Sequence, residues 1–129
     1  MKITALVARI LLGVMFVVFG LNGFLHFIHQ PPPPAGLAGQ FLGALAMSHY
    51  FTFIFAIQLI AGVLFLVNRY APLALTIIAP VLVNILLYHA LMDVKGIGPG
   101  LFATVLWCLL AYSLRSAFAG ILQPTVPQE

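Results

Sequence analysis

Four apolar runs, residues 3–28, 50–67, 72–92 and 99–121, take up most of this chain, and each is long enough to cross a bilayer as a helix. A helix rises about 1.5 Å per residue against roughly 30 Å of hydrocarbon, so about 20 apolar residues suffice. The runs are continuously apolar rather than alternating, which argues against barrel strands, and lipid obliges each segment to satisfy its own backbone groups. Of 129 residues, 64% are hydrophobic and 5% charged, too few charges to coat a water-facing surface. The sequence therefore predicts an all-α, four-transmembrane-helix bundle forming one domain over residues 1–129 and surrounded by lipid, with no room for a soluble catalytic domain.

The few charges carry information about sidedness. Lys2, Arg9, Arg69 and Arg115 fall at one side of the predicted spans, and Lys95, next to Asp93, at the other. Basic residues favour the cytoplasmic side, so the reading is a multi-pass protein of the inner (cytoplasmic) membrane with both termini cytoplasmic. A net charge of +3 from scattered residues makes no nucleic-acid patch. Met1, Lys2 and the apolar residues after them imitate a signal peptide, but the run continues to Ile28 without a polar cleavage region, so a retained first span is expected. Cys108 is the only cysteine, so one chain builds neither a disulfide nor a thiolate-ligated cluster, and a redox role requires a borrowed centre.

Between the first two spans lies "HFIHQPPPPAGLAGQFLGALAMS". Proline lacks an amide donor and pushes the preceding residue out of helix, so Pro31 to Pro34 stop the first span by about Gln30 and favour a stiff extended segment. Leu37, Phe41, Leu42 and Leu45 then recur at helical spacing in a stretch too short to span, which predicts a short interfacial helix that lies along the outer interface or dips into the bundle.

Placing the polar residues by depth brings His26, His29, His49 and His89 to the outer end of the bundle. Asn22, His26 and His29 share one helical face by their i, i+4 and i+7 spacing. On the third span Thr76, Pro80, Asn84 and Tyr88 form a similar stripe, with a kink expected at Pro80. Gln58 sits near the middle of the second span, and Asn22 and Asn84 roughly 5 to 10 Å outward of the midplane at about 1.5 Å per residue. These amides, with Tyr88, are candidates for one polar pocket; the plainer reading is interhelical hydrogen bonding. The plainer reading of the histidines is amphipathic rings settled at the headgroup interface. Arg9 and Arg115 are read as structural residues that snorkel.

The segments "ARILLGVMFVVFGLNGFLHFI", the proline run, "NRYAPLAL" followed by "APVLVNILLYHALMD", and "YSLRSAF" come in an order that resembles DoxX-like small integral membrane proteins, over nearly the whole chain. The most specific parts are Gly20-Leu21-Asn22-Gly23, Asn68-Arg69-Tyr70-Ala71-Pro72, and Asn84 with His89 and Asp93. The family takes its name from a membrane subunit of a quinone-linked oxidase, so the resemblance implies a quinone-linked oxidoreductase subunit working with a redox partner protein. Many relatives carry a glutamate where Gln58 stands, and an amide does not shuttle a proton, so proton transfer through that position is not carried over.

Three functions follow as expectations. In the first, Asn22, Gln58, Asn84 and Tyr88 hold a quinone while His89 and Asp93 relay protons. In the second, His26, His29, His49 and His89 ligate a metal or haem. The third is a non-enzymatic membrane partner or assembly protein, or a carrier of a small apolar ligand, with a homo-oligomer open in each case.

Overall fold

A computed structural model describes residues 1–129. Five α-helices are present: α1 (Lys2–Leu25), α2 (Leu37–Met47), α3 (Tyr50–Val67), α4 (Ala71–Leu91) and α5 (Ile97–Ser113), with short 3-10 turns at Val94–Gly96 and Arg115–Leu122. There are no strands. Four helical segments are long and apolar enough to cross a membrane: Lys2–Leu25, Tyr50–Val67, Ala71–Leu91 and Val94–Ser113. α1 packs against α3 and α5, and α4 closes the ring against the same two. Only 20 of 129 residues are buried within the chain, and the exposed side chains along the spans include Ile10, Val14, Phe53, Ile60, Leu73 and Val83. In water so much exposed apolar surface would drive association, whereas in hydrocarbon it is solvated. This is a multi-pass membrane protein with the short helix α2 between its first two spans.

The core is not centred. Ala8, Leu12 and Phe16 of α1, Ala61 and Phe65 of α3, Ala71, Ala74, Leu75 and Ile78 of α4, and Ala103, Leu106 and Leu110 of α5 form one buried cluster. These positions lie mostly in the half of the bundle that holds both termini and the α3–α4 turn. The opposite half carries α2 and the first turns of α3.

The most extensive contact joins α1 to α3. Without a hydrophobic force between helices in lipid, association depends on close packing, and small residues permit it. A Cβ added at Gly62 would come within 2.6 Å of the Val17 backbone nitrogen, and one at Gly20 within 2.8 Å of the Leu59 nitrogen. Both obstacles are backbone, so they cannot swing aside.

Polar groups fasten the helix ends. At the α3–α4 turn Asn68 adopts the left-handed conformation (φ 54°), which Asn tolerates well. This lets the Arg69 N–H reach the Leu64 carbonyl at 3.1 Å. The Arg9 guanidinium, coming from α1, donates to the Phe65 carbonyl and approaches that of Leu66 at 3.5 Å. A cation is thus set at the negative end of α3, where it also covers carbonyls the helix leaves over. On the other side of the core the Trp107 indole Nε1–H donates to the Leu75 carbonyl at 2.9 Å and ties α5 to α4. α4 runs unbroken through Pro80.

The ends of the first and last spans differ from those expected, and the last span also begins earlier, at Val94 rather than residue 99. The first helix ends at Leu25 rather than near Ile28, because His26 turns left-handed (φ 54°) and Asn22 holds the departing chain. The prolines act only after this turn, and His29 does not lie on α1, so it shares no helical face with Asn22 and His26. The last span ends at Ser113 rather than residue 121. There the Arg115 guanidinium donates to the Tyr112 carbonyl at 2.8 Å and lies 4.3 Å from the centroid of the Tyr112 ring, and the chain tightens into the 3-10 turn.

The glycine contact makes a contrast that can be measured. Gly62→Ala forces α1 and α3 apart and lowers stability by about 1–3 kcal/mol. A Cβ at Gly43 of α2 meets nothing within 4 Å, so Gly43→Ala leaves stability unchanged or raises it. Reversible unfolding in detergent–lipid bicelles distinguishes the two.

Candidate functional site

The half of the bundle opposite the core contains a cavity of about 630 Å³ between α3 and α4, covered by α2. Its lining is mainly apolar: Phe41, Leu42 and Leu45 from α2, Phe51, Ile54 and Phe55 from α3, and Val81 and Ile85 from α4 among others. Phe51 and Phe55 stack at 5.2 Å between centroids, and Phe41 of α2 stacks on Tyr88 of α4 at 5.8 Å. The second stack holds the cover helix to the wall.

The polar lining residues are Gln58, Asn84, Tyr50, Tyr88 and His89. Gln58 is 7% exposed, and its amide makes no hydrogen bond within the chain; its polar atoms open onto the cavity. It lies about 12 Å along α3 from Tyr50, at about 1.5 Å per residue, well inside the hydrocarbon. Asn84 donates from Nδ2 to the Pro80 carbonyl at 2.8 Å, a bond within its own helix. His89 brings Nδ1 to 2.9 Å from the Asp93 backbone carbonyl. Gly96 backs the imidazole, since a Cβ there would meet His89 Cε1 at 2.7 Å. No Lys, Arg, Asp or Glu lines the cavity.

Of the pocket residues expected from sequence, Gln58, Asn84 and Tyr88 come together here and Asn22 does not. Asn22 caps α1: its Oδ1 accepts the Ile28 N–H at 2.7 Å and its carbonyl accepts the His26 N–H at 2.9 Å. None of the three amides bridges two helices, so the plainer reading of interhelical bonding is not what they do. His89 and Asp93 meet, but the imidazole contacts the main-chain carbonyl of Asp93 rather than its carboxylate. Of the four histidines only His89 lines the cavity, and no three His, Cys, Asp or Glu side chains converge on a point where a metal could sit. His26 and His49 instead occupy left-handed positions at helix ends (φ 54° and 61°).

The sequence reading allowed α2 to dip into the bundle but did not assign it to a cavity, and it did not include the aromatic wall of α3. Their signal was present, since Phe41, Leu42 and Leu45 form one side of α2 and needed only a partner surface to be assigned. Against known proteins, this chain matches no family model, no curated sequence and no solved structure.

The position of Asn22 has a direct consequence. Asn22→Leu leaves the Ile28 N–H without its acceptor and lowers thermal stability, by about 1 kcal/mol for one such bond, while ligand binding in the cavity is unchanged. Thermal melts and binding titrations on the same preparation check both halves.

Proposed function

We propose that this protein is a membrane-embedded quinone-binding subunit whose cavity between α3 and α4 takes the head of a neutral, lipid-soluble ring. The observation that carries this reading is Gln58. An amide buried at hydrocarbon depth without a partner costs about 1–3 kcal/mol or more, and leucine would pack there without that cost. A partner from outside the chain removes the penalty, and the cavity leaves room for one. The absence of charged groups in the lining favours a neutral head over a phosphate or carboxylate. The aromatic and aliphatic walls suit a ring and an apolar tail.

The resemblance to DoxX-like proteins supports the quinone class in particular. With Cys108 as the only cysteine and no cluster of metal-ligating side chains, electrons are supplied by a redox partner protein. On the basic-residue asymmetry, with Lys2, Arg9, Arg69 and Arg115 at one end, both termini are cytoplasmic and the cavity lies toward the outer leaflet.

Two measurements test this reading. In lipid nanodiscs the protein binds decylubiquinone, in one or both oxidation states, saturably. Gln58→Leu weakens that binding by about tenfold, the worth of one buried hydrogen bond, while the protein still inserts and folds because the change makes the span more apolar. Unchanged affinity would remove Gln58 from the site and the main support for the proposal. For sidedness, Ala35→Cys in a Cys108→Ala background reacts with a membrane-impermeant maleimide added outside intact cells; labelling only after lysis reverses the topology.

A further inference from the structure

The free hydrogen-bonding positions around the cavity are unequal, and the inference drawn from them rests on the ligand site proposed above. Asn84 uses Nδ2 to reach the Pro80 carbonyl at 2.8 Å. A carbonyl oxygen only accepts, so the group facing it is the NH2; its second N–H and Oδ1 both stay free, and Asn84, like Gln58, can serve a donor or an acceptor. The same logic fixes the tautomer of His89. Its Nδ1 lies 2.9 Å from the Asp93 carbonyl oxygen, so Nδ1 carries the proton, and in the neutral ring Nε2 keeps an open lone pair. The ring is held in this orientation by Gly96 behind its Cε1–Nδ1 edge and by the Tyr88 ring, edge-on at 4.8 Å between centroids. Nε2 makes no hydrogen bond within the chain. Gln58, nine-tenths buried and unpartnered, offers a donor and an acceptor together. The hydroxyls of Tyr50 and Tyr88 rotate to serve either need and do not discriminate.

We infer that the cavity selects a ring whose head carries hydroxyl donors, a hydroquinone or related phenol, over the same ring in its oxidised, carbonyl-only form. A quinone brings only acceptors. Set against His89 Nε2 it opposes lone pair to lone pair, and only the amides of Gln58 and Asn84 remain to donate to it. A hydroquinone donates to His89 Nε2 or Asn84 Oδ1 and still accepts from Gln58. Sites built around a ligand hydroxyl reject the analogue that lacks it far more strongly than apolar contacts discriminate size, because the protein acceptor is left unpaired. His89 is then the specificity-determining residue, while Gln58 and Asn84 serve both forms.

The test compares anaerobic equilibrium binding of decylubiquinol, decylubiquinone and the dimethyl ether of decylubiquinol to the protein in nanodiscs. Decylubiquinol binds at least about tenfold more tightly than the quinone, and the dimethyl ether, close to it in size but without donors, binds no better than the quinone. His89→Phe reduces the preference for the quinol to about twofold or less, whereas Gln58→Leu weakens both forms. The ether comparison needs no variant, so it decides the matter even if His89→Phe folds poorly. Equal affinity for quinol and quinone, or an ether that binds like the quinol, overturns the selectivity while the ligand site stands. Saturable binding of none of the three overturns the ligand site and this inference with it.

Discussion

In hydrocarbon a backbone carbonyl or amide has no water to turn to, so each helix end must find its own partners. Much of this structure is arranged around that requirement. α3 meets it with the left-handed Asn68, which lets Arg69 reach back to Leu64, and with Arg9, which reaches across from α1 to Phe65. α1 meets it with Asn22, whose side chain takes the Ile28 N–H beyond the helix end. In α4 the Leu75 carbonyl takes a second donor, the Trp107 indole, from α5. Most of the polar side chains of the spans therefore serve the backbone, two of them by joining helices as they do so.

Against that economy Gln58 stands apart. It is buried, polar and unpartnered, and it sits where the bundle is least filled. The two halves of the molecule differ accordingly. In the half that holds the termini, alanine and glycine bring backbones together and Phe65, Leu75 and Ile78 fill what remains. In the other half, α3 and α4 present aromatic rings and amides to a space that α2 covers rather than fills. The rigid half fixes the positions from which the open half is built, since α3 and α4 run continuously through both.

The spans were legible because hydrophobicity over about 20 residues is a strong signal that needs no tertiary information. The short helix α2 was legible from the spacing of Leu37, Phe41, Leu42 and Leu45. Helix ends were less so: the prolines at Pro31 to Pro34 suggested a later stop for α1 than the one Asn22 and His26 impose, since capping depends on a local conformation that composition does not reveal. The site was legible in part. Because depth follows from counting residues, depth along a span placed Gln58, Asn84 and Tyr88 near one another, and all three line the cavity. It could not tell Asn22 from them, because rotation about the helix axis and the choice of hydrogen-bond partner are set by packing. His89 and Asp93 are adjacent, one turn apart, yet the atom that joins them is a backbone carbonyl, which no residue pattern specifies.

Cavity residues such as Ile57 and Asn84 are exposed and lie within the spans, so the space under α2 opens at the depth of the acyl chains. A lipid-soluble molecule therefore has a route to it in the plane of the bilayer that does not cross bulk water. Its occupancy is then governed by mole fraction among the lipids, and two compounds with identical contacts in the cavity will differ in apparent potency by their partitioning alone. A long apolar tail contributes by concentrating the molecule where the opening lies, even if none of that tail touches the protein.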